Sequence, residues 1–200
     1  KLRDKLESFL STGKVSSILY SNPNNPSWVC LNEEELSIIG YLANKYDIIV
    51  MEDLAYFGMD FRRDISEPGV PPFQPTVAKY TDNYILFIST SKVFSYAGQR
   101  IGIMAVSDKL FHRKYPHLRR YYSSDELGHT MTYGTLYPIS AGTGHSAQVA
   151  AAEIFRAAND GTHNFFREVQ EYARRANRMK EIFTRNGFKI VYDMDVDEPI

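Results

Sequence analysis

Short apolar runs alternate with amphipathic segments along the first half of the chain. The runs at 15–20, 48–51 and 84–88 are rich in β-branched and large apolar residues, which predicts three buried strands. Between the first two runs, apolar residues at helical spacing follow Asn32, a good N-cap with Glu35 three residues later. This order of strand, helix, strand, loop and strand predicts an α/β domain with a largely parallel sheet.

A fourth apolar run, at 101–106, predicts one more buried strand. Only 11 residues separate Ser89 from Ile101, which is too few for the helical crossover that parallel neighbours need. The third and fourth strands are therefore predicted to pair antiparallel.

Further helices are predicted from apolar spacing in the rest of the chain. One covers about 2–10 and ends near Gly13, and a second covers about 146–158. A third runs from about 164 to 186 and is stopped by Gly187. The strand-like residues 188–192 follow it, so this last helix and strand are expected to belong to another lobe. The core residues expected in the second of these helices are Val149, Ala152, Ile154 and Phe155.

Two stretches lack a regular pattern. Prolines scattered through 60–80 predict an ordered loop, whereas 107–144 mixes basic and aromatic residues. Five basic residues lie between Lys109 and Arg120. In a chain with a net charge of −1 such a run indicates a solvated helix face rather than a nucleic-acid surface.

Composition excludes several classes of protein. The near-neutral charge gives no field that favours nucleic acid or an anionic membrane, and no apolar run approaches the roughly 20 residues of a membrane span. The single cysteine, Cys30, excludes an internal disulfide and indicates a reducing, cytoplasmic compartment. The chain opens without methionine, and residues 193–200 form no clear closing element, so we expect a piece of a longer protein.

Chemically capable side chains collect at the carboxyl ends of the predicted parallel strands. Ligands of open α/β sheets bind in the crevice at those ends. A carboxylate, a phenol, an amide, an amine, hydroxyls and a guanidinium together suit an aldehyde cofactor that carries a phosphate and a basic ring nitrogen. The candidates are Asn25, Asp53, Tyr56, Ser89, Lys92 and Arg100.

Taken singly, each candidate has a purely structural interpretation. Lys92 alone would be a solvated loop lysine, and Arg100 a surface cation paired with an acid. Asp53 could cap a helix, Tyr56 could be a core ring, and Asn25 could form a turn. Their joint occurrence favours the site. The five histidines show no ligand spacing, so no metal site is expected.

Four short motifs resemble the class I/II aminotransferases, pyridoxal-phosphate (PLP) enzymes of the aspartate aminotransferase fold type I. They are Asn22-Pro-Asn-Asn-Pro-Ser27, Asp53-Leu-Ala-Tyr56, Ser89-Thr-Ser-Lys92 and Gln99-Arg-Ile-Gly102, in the order and near the spacing of that family. The resemblance is strong over 15–106 and rests on helix pattern alone over 145–200.

The resemblance implies part of a three-layer α/β/α domain with a mostly parallel sheet and one antiparallel strand. Residues 1–160 would form part of the PLP-binding major domain. Residues 161–200 would form a connecting helix and the start of the small C-terminal domain.

The resemblance also implies a role for each candidate. Lys92 would hold PLP as a Schiff base and move the substrate proton, and Asp53 would bond the pyridine nitrogen. Asn25 and Tyr56 would bond the 3′ oxygen of the ring. The residues that would hold the phosphate are Ser89, Ser91 and Arg100.

The chain departs from the family pattern in two places. Trp28 stands where the family usually has glycine, which puts the conformation of the loop beside Asn25 in question. The stretch 107–145 does not map onto the family and could be an excursion or a partner surface.

The implied function is amino-group transfer between an amino acid and a 2-oxo acid by a homodimer. The family supplies other phosphate donors and an aromatic ring before this region, and a carboxylate-binding arginine after it. These 200 residues alone are therefore expected to be inactive. Two alternatives remain open: a PLP-dependent β-lyase on the same fold, and a non-catalytic sensor domain of a transcription regulator.

Overall fold

A computed structural model describes residues 1–62, 65 and 67–191. Three 3₁₀ turns lie at Val77–Lys79, Ala97–Gln99 and Pro116–Arg120. A π-helical stretch covers Thr130–Leu136. The helices are α1 (Leu2–Leu10), α2 (Glu33–Tyr46), α3 (Asp108–Phe111), α4 (Leu127–His129), α5 (Tyr137–Ser140), α6 (His145–Asn159) and α7 (Phe165–Arg185), and the strands are β1 (Ser17–Ser21), β2 (Ile49–Leu54), β3 (Tyr84–Ser89) and β4 (Gly102–Val106).

The four strands form one sheet in the order β1-β2-β3-β4. β1 pairs with β2, and β2 with β3, in parallel. β3 pairs antiparallel with β4, with Ser89 opposite Gly102, because the connecting loop is too short for a crossover. The predicted fold class, a mostly parallel α/β sheet with one antiparallel strand, is confirmed in this part of the domain.

The main core lies between the sheet and α2. Asn32 accepts a hydrogen bond from the backbone N–H of Glu35, whose carboxylate accepts one from the backbone N–H of Asn32, so the predicted capping box is present. Leu36 and Leu42 are fully buried on the helix face that meets Val50 of β2. Each buried leucine of this kind contributes about 1.5–3 kcal/mol.

The prediction that β4 is buried is wrong. Gly102 and Ile103 are exposed, and the side chain of Ile103 keeps 38% of its surface in solvent. β4 is the edge strand of the described sheet, where its last three residues are half-buried and none is fully buried, and an apolar run alone does not distinguish an edge strand from a central one.

Helix α6 is present as predicted, but it buries a different face. Val149 and Ala152 are exposed, whereas Ile154 and Phe155 are half-buried. The fully buried positions are Ala147, Ala151 and Ala158. Alanines at a spacing of four and seven residues let the helix approach its neighbours closely, which a ranking of residues by hydrophobicity misses.

Helix α7 begins at its predicted cap, Asn164, whose side chain accepts a hydrogen bond from the backbone N–H of Arg167. Its first turns bury three apolar residues against Met59 and Val93. These residues are Phe165, Phe166 and Val169. The predicted strand at 188–192 is not formed over 188–191, where no described strand pairs with it, and Tyr192 lies outside the described residues. The division into domains at 160/161 stays a prediction.

The basic run does not form one solvated helix face. Lys109 lies in α3, Arg113 and Lys114 lie in the irregular segment that follows, and Arg119 and Arg120 lie in the 3₁₀ turn that begins at Pro116. Arg113 binds the carboxylate of Asp47 with two hydrogen bonds, and Arg119 binds Asp125. Among the described residues, no helix is long and apolar enough to cross a membrane.

Candidate cofactor site

The sheet register brings the predicted site segments to one edge. Asp53 lies opposite Ser21 of β1 on one side and Phe87 of β3 on the other. The loops that carry Asn25 and Lys92 leave β1 and β3 at the same level of the sheet. The sequence prediction that these three strand ends converge is therefore confirmed at the level of the backbone.

An amide, a phenol and an amine form the centre of this cluster. The Asn25 Nδ2 donates a hydrogen bond of 3.1 Å to the Tyr56 Oη. The Lys92 Nζ lies 5.7 Å from the centre of the Tyr56 ring, within cation–π range. Asn25 and Lys92 are exposed and Tyr56 is half-buried, so the amine is accessible to a ligand that rests on this edge.

Asp53 is fixed at the end of β2. Its Oδ1 accepts a hydrogen bond of 2.9 Å from the backbone N–H of Ala55, which holds the carboxylate in the turn that follows the strand. Side chains alternate along a strand, so Asp53 lies on the opposite face from Glu52 and away from α2. Asp53 thus lies half-buried on the sheet face opposite α2, between the segments of Asn25 and Lys92.

The residues proposed to bind the phosphate do not contact one another as a group. Ser89 Oγ accepts a hydrogen bond of 3.2 Å from the backbone N–H of Ser91. Arg100 adopts a left-handed conformation with φ of 51° and donates from Nη1 to the Ala97 carbonyl at 2.7 Å. Within the described residues, no hydrogen bond links Arg100 to Ser89 or Ser91. The arginine lies against its own turn.

The structure adds a buried carboxyl group that the sequence analysis missed. Glu52 is fully buried, and it accepts hydrogen bonds from Asn22 Nδ2 at 3.0 Å and from the backbone N–H of Val77 at 2.8 Å. Burial raises the pKa of the Glu52 carboxyl. The sequence signal for its burial was its spacing in the strand, because Val50, Glu52 and Leu54 are two residues apart and share the face toward α2.

Glu52 also helps to shape the loop that carries Asn25. Asn22, which donates to Glu52, accepts a hydrogen bond of 3.0 Å at Oδ1 from the backbone N–H of Leu31. The buried pair therefore ties both ends of the loop 22–31 to β2. Because Asn25 lies between those two ends, its distance from Tyr56 depends on this anchoring.

The backbone at Trp28 adopts the conformation that a glycine would have at this position of the loop. Its φ of 58° is in the left-handed region that glycine adopts freely. The indole Nε1 donates to the Met59 carbonyl at 3.2 Å, and the ring meets Tyr56 edge-on at 5.1 Å and stacks on Phe61 at 6.1 Å between ring centres. The loop has a glycine-like backbone at this position, and the indole packs against the site.

The donor set fits the predicted cofactor in its chemistry. An accessible amine, a hydrogen-bonded phenol and amide, and a carboxylate lie on one sheet edge, with hydroxyls and an arginine in the following loop. Among the described residues, no group of three histidine, cysteine or acidic side chains is placed to hold a metal ion.

Comparison with solved structures shows the fold. A TM-score of 0.68 relates the chain to N-succinyldiaminopimelate aminotransferase from Mycobacterium tuberculosis, at 17% identity, over 96% of this chain and 42% of that one. A PLP-bound C-S lyase from Staphylococcus hominis gives a TM-score of 0.59 at 18% identity, over 92% of this chain and 39% of that one. The chain therefore shares the fold of these PLP-dependent enzymes, which is the predicted fold type I.

Sequence comparison shows the family. The model of the family "Aminotransferase class I and II" matches residues 1–193, so the chain belongs to that family. Glutamate-pyruvate aminotransferase AlaC of Escherichia coli (strain K12) is 29% identical over 163 residues, which are 81% of this chain and 33% of AlaC. The chain spans less than two-fifths of the length of the curated relatives that it matches.

Proposed function

We propose that this chain is the PLP-binding part of an aminotransferase that moves an amino group between an amino acid and a 2-oxo acid. One observation carries the proposal. The exposed amine of Lys92 lies over Tyr56, which is bonded to Asn25, at the sheet edge where the family motifs converge. Membership of the family supports this interpretation of the cluster.

Lys92 would hold the cofactor and then move the substrate proton. When bound, PLP supplies an electron sink that stabilises negative charge at the substrate Cα. The Lys92 Nζ would hold the cofactor covalently at its aldehyde carbon, C4′, until a substrate amine displaces it, and would then take the proton from the substrate Cα and donate it at C4′. Its exposure in this part of the chain suits that exchange, because the incoming amine must reach the same position.

Three neighbouring groups would orient the ring. The Asp53 carboxylate would bind the pyridine nitrogen and favour its protonated form. Asn25 and Tyr56, already hydrogen-bonded to each other, would bind the 3′ oxygen. Because Ala55 and the loop 22–31 fix these groups in advance, little side-chain entropy would be lost on binding.

Ser89, Ser91 and Arg100 would bind the phosphate. The serine hydroxyls are donors close to the strand end, and the guanidinium is a planar partner for phosphate oxygens. For this role Arg100 must exchange its bond to the Ala97 carbonyl for the phosphate.

A PLP-dependent β-lyase is the second candidate. The chain shares its fold with the C-S lyase of Staphylococcus hominis, so the fold is compatible with elimination as well as with transfer. The residues described above serve both reactions equally. A non-catalytic sensor domain would keep the same residues too.

The whole protein would be a cytoplasmic homodimer that acts on amino acids and 2-oxo acids. The chain covers about a third of AlaC, so an aminotransferase of that length would supply the remaining phosphate donors and the arginine for the substrate carboxylate from other segments.

Borohydride trapping tests the proposed function. The full-length protein is incubated with PLP, reduced, digested and mapped by mass spectrometry. We expect the pyridoxyl label on Lys92, and its loss in Asp53→Ala, whereas Lys109→Arg, a change at an exposed lysine outside the site, should leave the labelling unchanged.

Labels scattered over surface lysines would contradict the cofactor role. With Lys92 labelled, a single-turnover assay then separates the reactions. Release of a 2-oxo acid with the amino group retained on the cofactor indicates transfer, whereas release of ammonia indicates elimination, and neither product would indicate a sensor.

A further inference from the structure

A cavity of about 490 Å³ opens beside the loop that carries Asn25. It lies between that loop and the side of α7, where Tyr172 and Ala176 face it. The final described residues, Lys189 to Val191, close a third side. The cavity is distinct from the Lys92 cluster, and none of the predicted site residues lines it.

Trp28 forms the wall nearest to the cofactor site. Its left-handed φ costs a non-glycine residue on the order of 1–3 kcal/mol, and glycine would adopt it freely. The structure tolerates this strain because the indole is held by the Met59 carbonyl and by two rings. A strained residue held from several sides is typical of a site where the side chain itself has a task.

A single ring separates the cavity from the proposed reaction centre. The Tyr56 ring contacts both the Lys92 amine, 5.7 Å from its centre, and the Trp28 indole, 5.1 Å from its centre. Pro26, which also lines the cavity, directly follows Asn25. The cavity thus begins one residue from Asn25 and one ring contact from Tyr56, and the side chain of a substrate held at Lys92 would reach it past these two residues.

The residues that line the cavity favour one chemical class of ligand. Trp28, Phe61 and Tyr172 present aromatic surface, and Ile190 and Val191 present aliphatic surface. Aromatic pairs contribute beyond their buried area when they meet edge to face or offset. Among the described residues, the lining includes one cation, Lys189, and no acidic residue, so its chemistry favours an aromatic side chain over a charged one.

We propose that this cavity receives the aromatic side chain of the amino-acid and 2-oxo-acid substrates, with Trp28 as the residue that sets this preference. The inference rests on the proposed PLP function and adds the substrate class. Hydrophobic pockets discriminate between side chains by roughly 10-fold to 200-fold.

The test measures binding to the full-length, PLP-loaded protein by calorimetry. The probes are 3-phenylpropionate and glutarate, which lack an amino group and cannot react. We expect 3-phenylpropionate to bind at least about tenfold more tightly than glutarate. Trp28→Gly should abolish this ratio while the backbone keeps its φ, and Trp28→Phe should restore most of it.

Ala141→Gly is the matched control, because Ala141 also has a left-handed φ, of 50°, but lies outside the cavity. It should leave the ratio unchanged. If Trp28→Gly does not fold, Tyr172→Ala removes the opposite wall from an exposed helix position and should lower the ratio in the same way.

Two results distinguish this inference from the proposed function. An unchanged ratio in Trp28→Gly or in Tyr172→Ala, with Lys92 labelled by borohydride, overturns the aromatic cavity alone. Failure to label Lys92 overturns the cofactor role. Trp28-dependent binding of 3-phenylpropionate to the protein before PLP is added would then still support an aromatic site.

Discussion

At the scale of single residues, the site depends on side chains whose roles come from their partners. Asn25 and Tyr56 bond to each other, and Trp28 packs against Tyr56. Glu52 is the least expected member of this group, because a fully buried carboxyl group is costly unless it is hydrogen-bonded. Its two acceptor bonds and its neighbour Asn22 make it an anchor for the loop 22–31.

Replacing Glu52 by glutamine should destabilise the chain. The amide NH₂ group would face one of two buried donors, Asn22 Nδ2 or the Val77 N–H, and would leave it unpaired. We expect a loss of about 1–3 kcal/mol in the free energy of unfolding, measured by urea denaturation. The exposed change Glu34→Gln should cost less than about 0.5 kcal/mol, and an equally small effect at position 52 would contradict the anchor role.

The raised pKa of Glu52 predicts how the difference in unfolding free energy between the unchanged chain and Glu52→Gln varies with pH. The folded state holds the proton more tightly than the unfolded state, whose pKa is near the ordinary 4.5. The stability that protonation provides is complete below that value and is lost as the pH rises through the folded pKa. The free energy of unfolding of the unchanged chain, measured relative to Glu52→Gln by urea denaturation at several pH values, should therefore decrease as the pH rises. A relative stability that increases with pH would contradict the raised pKa.

At the scale of elements, close backbone contact holds α2 in place. A Cβ atom added at Gly40 would lie 2.5 Å from the Cβ of Tyr80 and 3.1 Å from the backbone of that residue. Real Cβ atoms do not approach so closely, so the glycine is needed for the distance between α2 and the turn at Val77–Lys79. The same turn supplies the Val77 N–H that binds Glu52.

Gly40→Ala should therefore destabilise the chain although alanine favours helices. We expect a loss of about 1–3 kcal/mol in the free energy of unfolding, since overpacking must displace backbone rather than a flexible side chain. Gly98→Ala is the control, because a Cβ there meets nothing within 4 Å and its φ is not left-handed. A stabilising effect of Gly40→Ala, as helix propensity alone predicts, would contradict the close contact.

At the scale of the whole molecule, the described residues provide a sheet edge and one set of cofactor contacts. The chain spans 33% of AlaC and 42% of N-succinyldiaminopimelate aminotransferase. Part of α7 has no cover in the described residues, with Met179, Ile182 and Phe183 exposed. The site is therefore expected to need further segments before it binds PLP tightly.

The 200 residues alone should bind PLP weakly and show no transaminase turnover. The resemblance to the family implies that further phosphate donors, a stacking ring and a carboxylate-binding arginine come from other segments. The measurement is the dissociation constant for PLP by absorbance titration, together with a coupled assay for 2-oxo acid, with the full-length protein as the control. Turnover equal to that of the full-length protein would contradict this prediction.

The sequence pattern correctly predicted those parts of the fold that depend on residues close together in the chain. The capping box at Asn32, the antiparallel pairing of β3 and β4 and the limits of α7 all follow from residues close in sequence. The convergence of the strand ends also followed, because the carboxyl ends of parallel strands meet at one edge.

The tertiary structure decided what depends on distant partners. Three outcomes depended on neighbouring elements that are distant in sequence: the exposure of β4, the alanine face of α6 and the absence of a strand at 188–191. The sequence of one segment does not show which other segments will pack against it or pair with it. The same reason explains Glu52 and Trp28. The sequence analysis missed Glu52 and noted Trp28 only as a departure from the family pattern, and contacts between residues about thirty positions apart make them an anchor and a cavity wall.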